Sequence, residues 1–239
     1  STFDSWHTDI DEFDVQTYGA NLYLGYTPPS TPRLSLGVRY DWDHSLLAND
    51  SFLSRHRITP QIDFRETDWT RTTLFYQIDV RDYRYPVSDR RLDRDGITHA
   101  VGAVQDFDLV KNLFNRNLTT TLSYRFEDVG TDGTEYDADH HIFAVGVGVP
   151  LPEDFTFDFT SEWEVQFYRN RDLFDRDRSQ RRDLIHTLLF GLTKKFNEQL
   201  SARFQIEVTD ADSNVREANG REPFSYDRVI YGLSVLYRF

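Results

Sequence analysis

From Arg33 to His44 the chain alternates without interruption. Leu34, Leu36, Val38, Tyr40 and Trp42 fall on one side, and Arg33, Ser35, Gly37, Arg39, Asp41 and Asp43 on the other. A period of two makes a strand with one apolar and one charged face. Its length is the constraint. Ordinary strands average about 5–6 residues, whereas twelve residues at a rise of ~3.3 Å and a tilt of ~45° cover roughly 28 Å, the depth of a bilayer's hydrocarbon core.

The pattern recurs along the chain. Gln16–Tyr26 sets Tyr18, Leu22, Leu24 and Tyr26 against Thr17, Gly19 and Asn21, and a proline-loaded turn (27–32) leads into the strand above. Strands are predicted next at Arg55–Thr67 and Arg71–Tyr83, with Pro60 expected to cause a bulge because it cannot donate to a ladder. The stretch 97–108 is small or apolar on both faces, and Asn117–Asp128 alternates cleanly again. His140–Val149, Phe155–Tyr168, Asp183–Phe196, Leu200–Asp210 and Val229–Phe239 complete the set. Long connections are expected at 45–54, 84–96, 129–139, 169–182 and 211–227, with short ones between them. This gives eleven strands. Antiparallel closure needs an even number, so a twelfth is expected from residues 1–10, where a short strand around Thr2–Thr8 fits, or from upstream. The rest of the acidic segment 1–14 reads as loop. A faint repeat of about 42–45 residues places His56, His99, His141 and His186 at the start of successive hairpins, as duplication would.

Composition narrows the class. A length of 239 residues suits one domain spanning 1–239. No stretch approaches the ~18 consecutive apolar residues of a membrane helix. A barrel survives that test, because its apolar residues alternate with polar ones and vanish from a window average. Net charge is 27 − 40 = −13, which removes nucleic acid as a partner. The absence of Cys excludes disulfides and thiolate chemistry. With no initiating Met and no leader, the chain reads as a mature form or an excised domain.

The last strand carries the most specific signal. Val229, Tyr231, Leu233, Val235, Tyr237 and Phe239 alternate with Gly232, Ser234 and Arg238, and the chain ends on Phe. This resembles the C-terminal strand of bacterial outer-membrane β-barrel proteins, although Ile230 stands where that family favours a polar residue. The resemblance implies an all-β, antiparallel up-and-down transmembrane β-barrel of about twelve strands in a Gram-negative outer membrane, with short periplasmic turns and long extracellular loops. It implies that Tyr231, Gly232, Leu233, Val235, Tyr237 and Phe239 form the insertion signal read by the barrel-assembly machinery. The other partners implied are outer-membrane lipid including lipopolysaccharide, and a periplasmic or surface protein. A weaker likeness is to barrel modules linked to helical repeats in surface-export proteins.

On that plan the polar faces look into a lumen. Its charged lining is expected to include Arg39, Asp41, Asp63, Arg65, Asp79 and Arg81 from the first half, and Arg125, Glu127, Glu162, Glu164, Arg203 and Glu207 from the second. Two readings are open: an aqueous pore of mixed charge, or cross-strand ion pairs bracing a nearly closed interior. Trp42, Trp69, Tyr83, Tyr85, Phe155, Tyr237 and Phe239 are expected to form an aromatic girdle near strand ends. The repeated histidines, at the rim and on the apolar side, suit lipid head groups better than a shared metal. Asp128, Asp132, Glu135, Asp137 and Asp139 fit no ordered calcium loop, and the arginines of 169–182 pair with acids or grip phosphates. No Ser–His–acid arrangement appears. The close pairs Asp41/Asp43 and Glu162/Glu164 read as structural. The expectation is therefore a channel or export conduit, alone or within a larger assembly, with no catalytic residues, cofactor or metal. The alternatives are a non-conducting anchor and an outer-membrane enzyme.

Overall fold

The computed structural model describes residues 2–6, 15–84, 87–173, 175, 179–217 and 219–237. Its strands are β1 (Thr2–Trp6), β2 (Val15–Tyr26), β3 (Leu34–Leu47), β4 (Asp50–Phe64), β5 (Thr70–Tyr83) and β6 (Gly96–Leu113). They continue with β7 (Arg116–Thr131), β8 (Ala138–Pro150), β9 (Phe155–Arg171), β10 (Gln180–Lys195), β11 (Leu200–Ser213) and β12 (Tyr226–Tyr237). All twelve form one sheet in chain order, each antiparallel to the next. This is an up-and-down β-barrel wall, and most of its strands reach 12–18 residues. The expected twelfth strand is β1, which pairs with the end of β2 nearest the long loops.

Exposure shows which way the wall faces. Leu24, Tyr231, Leu233 and Val235 are 66–77% exposed, whereas Asp79 and Thr98 are 0% and 2% exposed. Leaving a Leu-sized side chain in water forgoes about 1.5–3 kcal/mol, and dozens are exposed here. This inverts the ordinary soluble pattern. The polar side chains occupy the protected face.

The lower end, defined by the short turns and the end of β12, has connections at 27–33, 65–69, 114–115, 151–154 and 196–199. The upper end has 84–95, 132–137, 172–179 and 214–225. One long loop expected at this end is replaced by strand. β3 and β4 continue to a two-residue turn, Ala48–Asn49, with φ of 50° and 70°, the left-handed pair that a tight hairpin requires. A register shift at Ser45/Leu46 breaks the alternation and hides this extension from a period-two reading. Pro60 causes no bulge. It sits in register opposite Val38, and only the ladder to β5 lapses beside it, with the register resuming unchanged at Gln61↔Phe75.

Candidate functional site

The inward face of the upper half is a network of ion pairs. Asp79 on β5 is fully buried and receives Arg55 at 2.5 Å and Arg81 at 3.1 Å, with Arg57 at 4.0 Å. Alternate residues on adjacent strands share a face, so three guanidiniums from β4 and β5 converge on one carboxylate. Arg39 closes on Asp41 at 2.7 Å, and Arg125 on Glu127 at 2.9 Å. His140 Nδ1 bridges Glu164 at 3.0 Å and Glu127 at 3.6 Å, joining β7, β8 and β9. Gln166 donates to Glu164, and the Tyr168 hydroxyl donates to Gln166. Arg181 holds Asp183 and lies 3.4 Å from the Phe224 ring centroid and 4.4 Å from that of Tyr168.

The lower half is built from smaller groups. A cavity of about 530 Å³ is lined by Arg65, Arg71, Asp106, Asp108, Thr119 and Thr121 among others. A second, of about 260 Å³, is lined by Ser123, Ala144, Gly146, Gly148, Asp158 and Thr160 among others. Asp63 accepts from Thr73 at 2.6 Å and Gln61 at 2.9 Å. Arg203 lies across Gly191, where a Cβ would meet its Nη2 at 2.6 Å, and reaches Asp158 at 3.4 Å. Higher on the wall, near the top of β12, Arg228 pairs with Glu207 at 2.9 Å.

The twelve charged positions expected in the lining thus lie on the polar side, with Arg65 just below β4 at the cavity mouth. Glu162 stands between Ala144 and Thr187 and makes no ion pair among the described residues. The sequence reading missed Arg55, Arg181 and the role of His140. Parity could have found the first, because Arg55 shares the face of Arg57. It could also have separated His140 from His141, whose side chains lie on opposite faces.

The outward face carries its own repeat. Tyr40 and His56 Nδ1 are 2.8 Å apart, Tyr76 and His99 2.7 Å, and Tyr124 and His141 2.9 Å. Ser161 meets His186 at 2.9 Å, with Trp163 stacked on the imidazole. In every hairpin the hydroxyl comes from the residue two before the histidine's direct partner: Trp42, Ile78, Phe126 and Trp163 respectively. His56, His141 and His186 stand eight or nine residues above the lower ends of their strands (56 to 64, 141 to 150, 186 to 195). Just above His141, Asp128 and Asp139 share Arg169 at 2.5 Å each.

Other expectations fare unevenly. Tyr83 leaves the proposed girdle: it faces inward and meets Phe52 edge-on. Tyr85 and Phe239 lie outside the described residues. Tyr231, Leu233, Val235 and Tyr237 share the exposed outward face, and Gly232 lies against Gln205 on the inner one. Among the acidic-loop carboxylates, Asp137 accepts from Thr131 N–H at 2.7 Å, and Glu135 from Leu173 N–H at 2.9 Å.

The upper loops are tied edge to edge. Gly133 and Glu135 N–H donate to the carbonyls of Asp93 and Arg91, Asn170 donates to Thr134, and Arg216 N–H donates to Asp175. Burial is the leading influence raising the Glu135 carboxyl above its ordinary range, while the Leu173 N–H opposes it.

A single antiparallel sheet in chain order, apolar outside and ion-paired inside, defines the porin-like class of β-barrel. Among solved structures the chain resembles the NanC porin, with a TM-score of 0.51 and 11% identity over 93% of this chain and 94% of that one. The likeness is one of fold. No family model and no curated protein matches the sequence.

Proposed function

We propose that this chain is a Gram-negative outer-membrane β-barrel that passes small polar solutes through its lumen. One observation carries the reading: an apolar exterior encloses a polar interior whose lower half holds water-accessible cavities lined by hydroxyls, glycines and mixed charges. The Tyr–His tier then lies where hydrocarbon gives way to head groups, with the Asp128–Arg169–Asp139 cluster among the lipopolysaccharide phosphates. The final strand serves as the insertion signal for the assembly machinery.

The test is conductance of refolded protein in planar bilayers. Steady ohmic steps are expected, and Glu162→Gln is expected to lower the cation preference because it removes a lumen carboxylate without an ion-pair partner. Silence from folded protein would sink the channel. The ion-paired upper half and tied loops favour one second reading, a non-conducting anchor for a surface or periplasmic partner. A chain that stays monodisperse without detergent would remove both.

A further inference from the structure

Above the Asp79 network, two cavities of about 530 and 290 Å³ share Tyr83, Arg94 and Tyr136 in their walls. Their lining differs from that of the lower lumen. The lower cavity places Asp68, Asp106 and Asp108 among its cations. In the deeper upper cavity the ionisable cations are Arg81, Arg94, His140 and Arg181, and among the described residues no carboxylate joins them. Among the described residues the larger one has a single acid, Asp93, which is already accepting the Asp95 N–H at 3.1 Å.

We propose that this upper chamber binds a small organic anion, a carboxylate carried on an apolar ring. Arg94 is the anchor. Its guanidinium lies 4.3 Å from the Tyr136 ring centroid and donates to the Tyr136 hydroxyl at 3.0 Å, so the tyrosine holds it in place. It has no carboxylate within ion-pair distance among the described residues, unlike Arg81 and Arg181, which are held by Asp79 and Asp183. A guanidinium offers five N–H donors in a planar fork that matches a carboxylate. Beside it, Phe52 and Tyr83 stand edge to face at 5.5 Å, with Leu47 and Leu92 completing an apolar slot. One charged anchor next to an aromatic slot of a few hundred Å³ is the usual form of a small-molecule site. The slot selects a ring, and the fork selects its acid group.

The route of entry rests on the channel reading, whereas binding requires only the folded barrel. The test is calorimetric titration of the full chain in detergent with benzoate, acetate and benzamide. Benzoate should bind saturably, and the anion without the ring and the ring without the charge should each bind about tenfold more weakly or worse. Arg94→Gln should weaken benzoate by about tenfold and leave benzamide unchanged. Arg94→Lys, which keeps the charge but loses the fork, should fall between them. Heat-modifiable mobility on a gel checks that each variant is folded. Equal binding of benzamide and benzoate, no saturable heat at tens of millimolar, or indifference to Arg94→Gln would each overturn the proposal. Protein that binds benzoate but is silent in bilayers keeps this site and loses the channel, and the converse loses only the site.

Discussion

In the upper half of the wall the inward side chains are long and charged, and they fill space by reaching across strands to one another. Arg55, Arg57 and Arg81 converge on Asp79, and His140 spans Glu127 and Glu164. In the lower half the inward positions of β7 and β8 carry Thr119, Thr121, Ser123, Ala144, Gly146 and Gly148, and space is left open. Charges held inside a wall must be neutralised by partners, which ties neighbouring strands together. Hydroxyls and glycines make no such demand, so water can remain. Rigidity and room are thus placed in different halves of one sheet.

The sharpest way to break this contrast is Asp79→Ala, which strands three guanidiniums at once. A loss of about 3–5 kcal/mol is expected, measured by urea unfolding of vesicle-embedded protein through tryptophan fluorescence. Asp63→Ala in the lower half removes hydrogen bonds from Thr73 and Gln61 and should cost about 0.5–1.5 kcal/mol. Equal losses at the two sites would erase the distinction. A second pair of substitutions tests where there is room. A Cβ on Gly102 would clash with the Phe75 ring and meet the Tyr124 carbonyl at 2.8 Å, whereas on Gly146 the nearest atom is 3.5 Å away. Gly102→Val should destabilise by about 1–3 kcal/mol, and Gly146→Ala should stay within about 0.5 kcal/mol in the same assay.

The smallest effect concerns the loops that cap the rigid half. The folded Glu135 carboxyl titrates above its unfolded value because burial disfavours its charge. The stability it contributes is therefore fully present below the unfolded value and is lost as pH rises through the folded one. Protease protection of loop 132–137 should be greater in acid than at neutral pH. Glu135→Gln, which keeps an acceptor for Leu173 N–H, should flatten the difference.

Much of the wall was legible because period two is a direct consequence of strand geometry. Tyr40 and Asp41 could be assigned to opposite faces from the alternation alone, and so could Tyr237 and Leu236. What stayed hidden depended on a break in that period or on a loop folding back. The shift at Ser45/Leu46 concealed the tops of β3 and β4. His140 could have been placed on the inward face by parity, but nothing local pointed to Glu164 on β9 as its partner. Arg94 and Tyr136 are 42 residues apart on separate loops, and no local pattern connects them. Charge type at inward positions was readable, whereas partner choice was not, since Asp79 takes Arg55 from β4 together with Arg81 from its own strand.

The Tyr–His and Ser–His pairs bear on how such a wall could grow. Each two-strand unit from β3 to β10 brings its own imidazole to an equivalent register position. A copied unit inserted in register would arrive already marked for depth. The bore could therefore widen in whole steps while the cylinder kept its vertical seat.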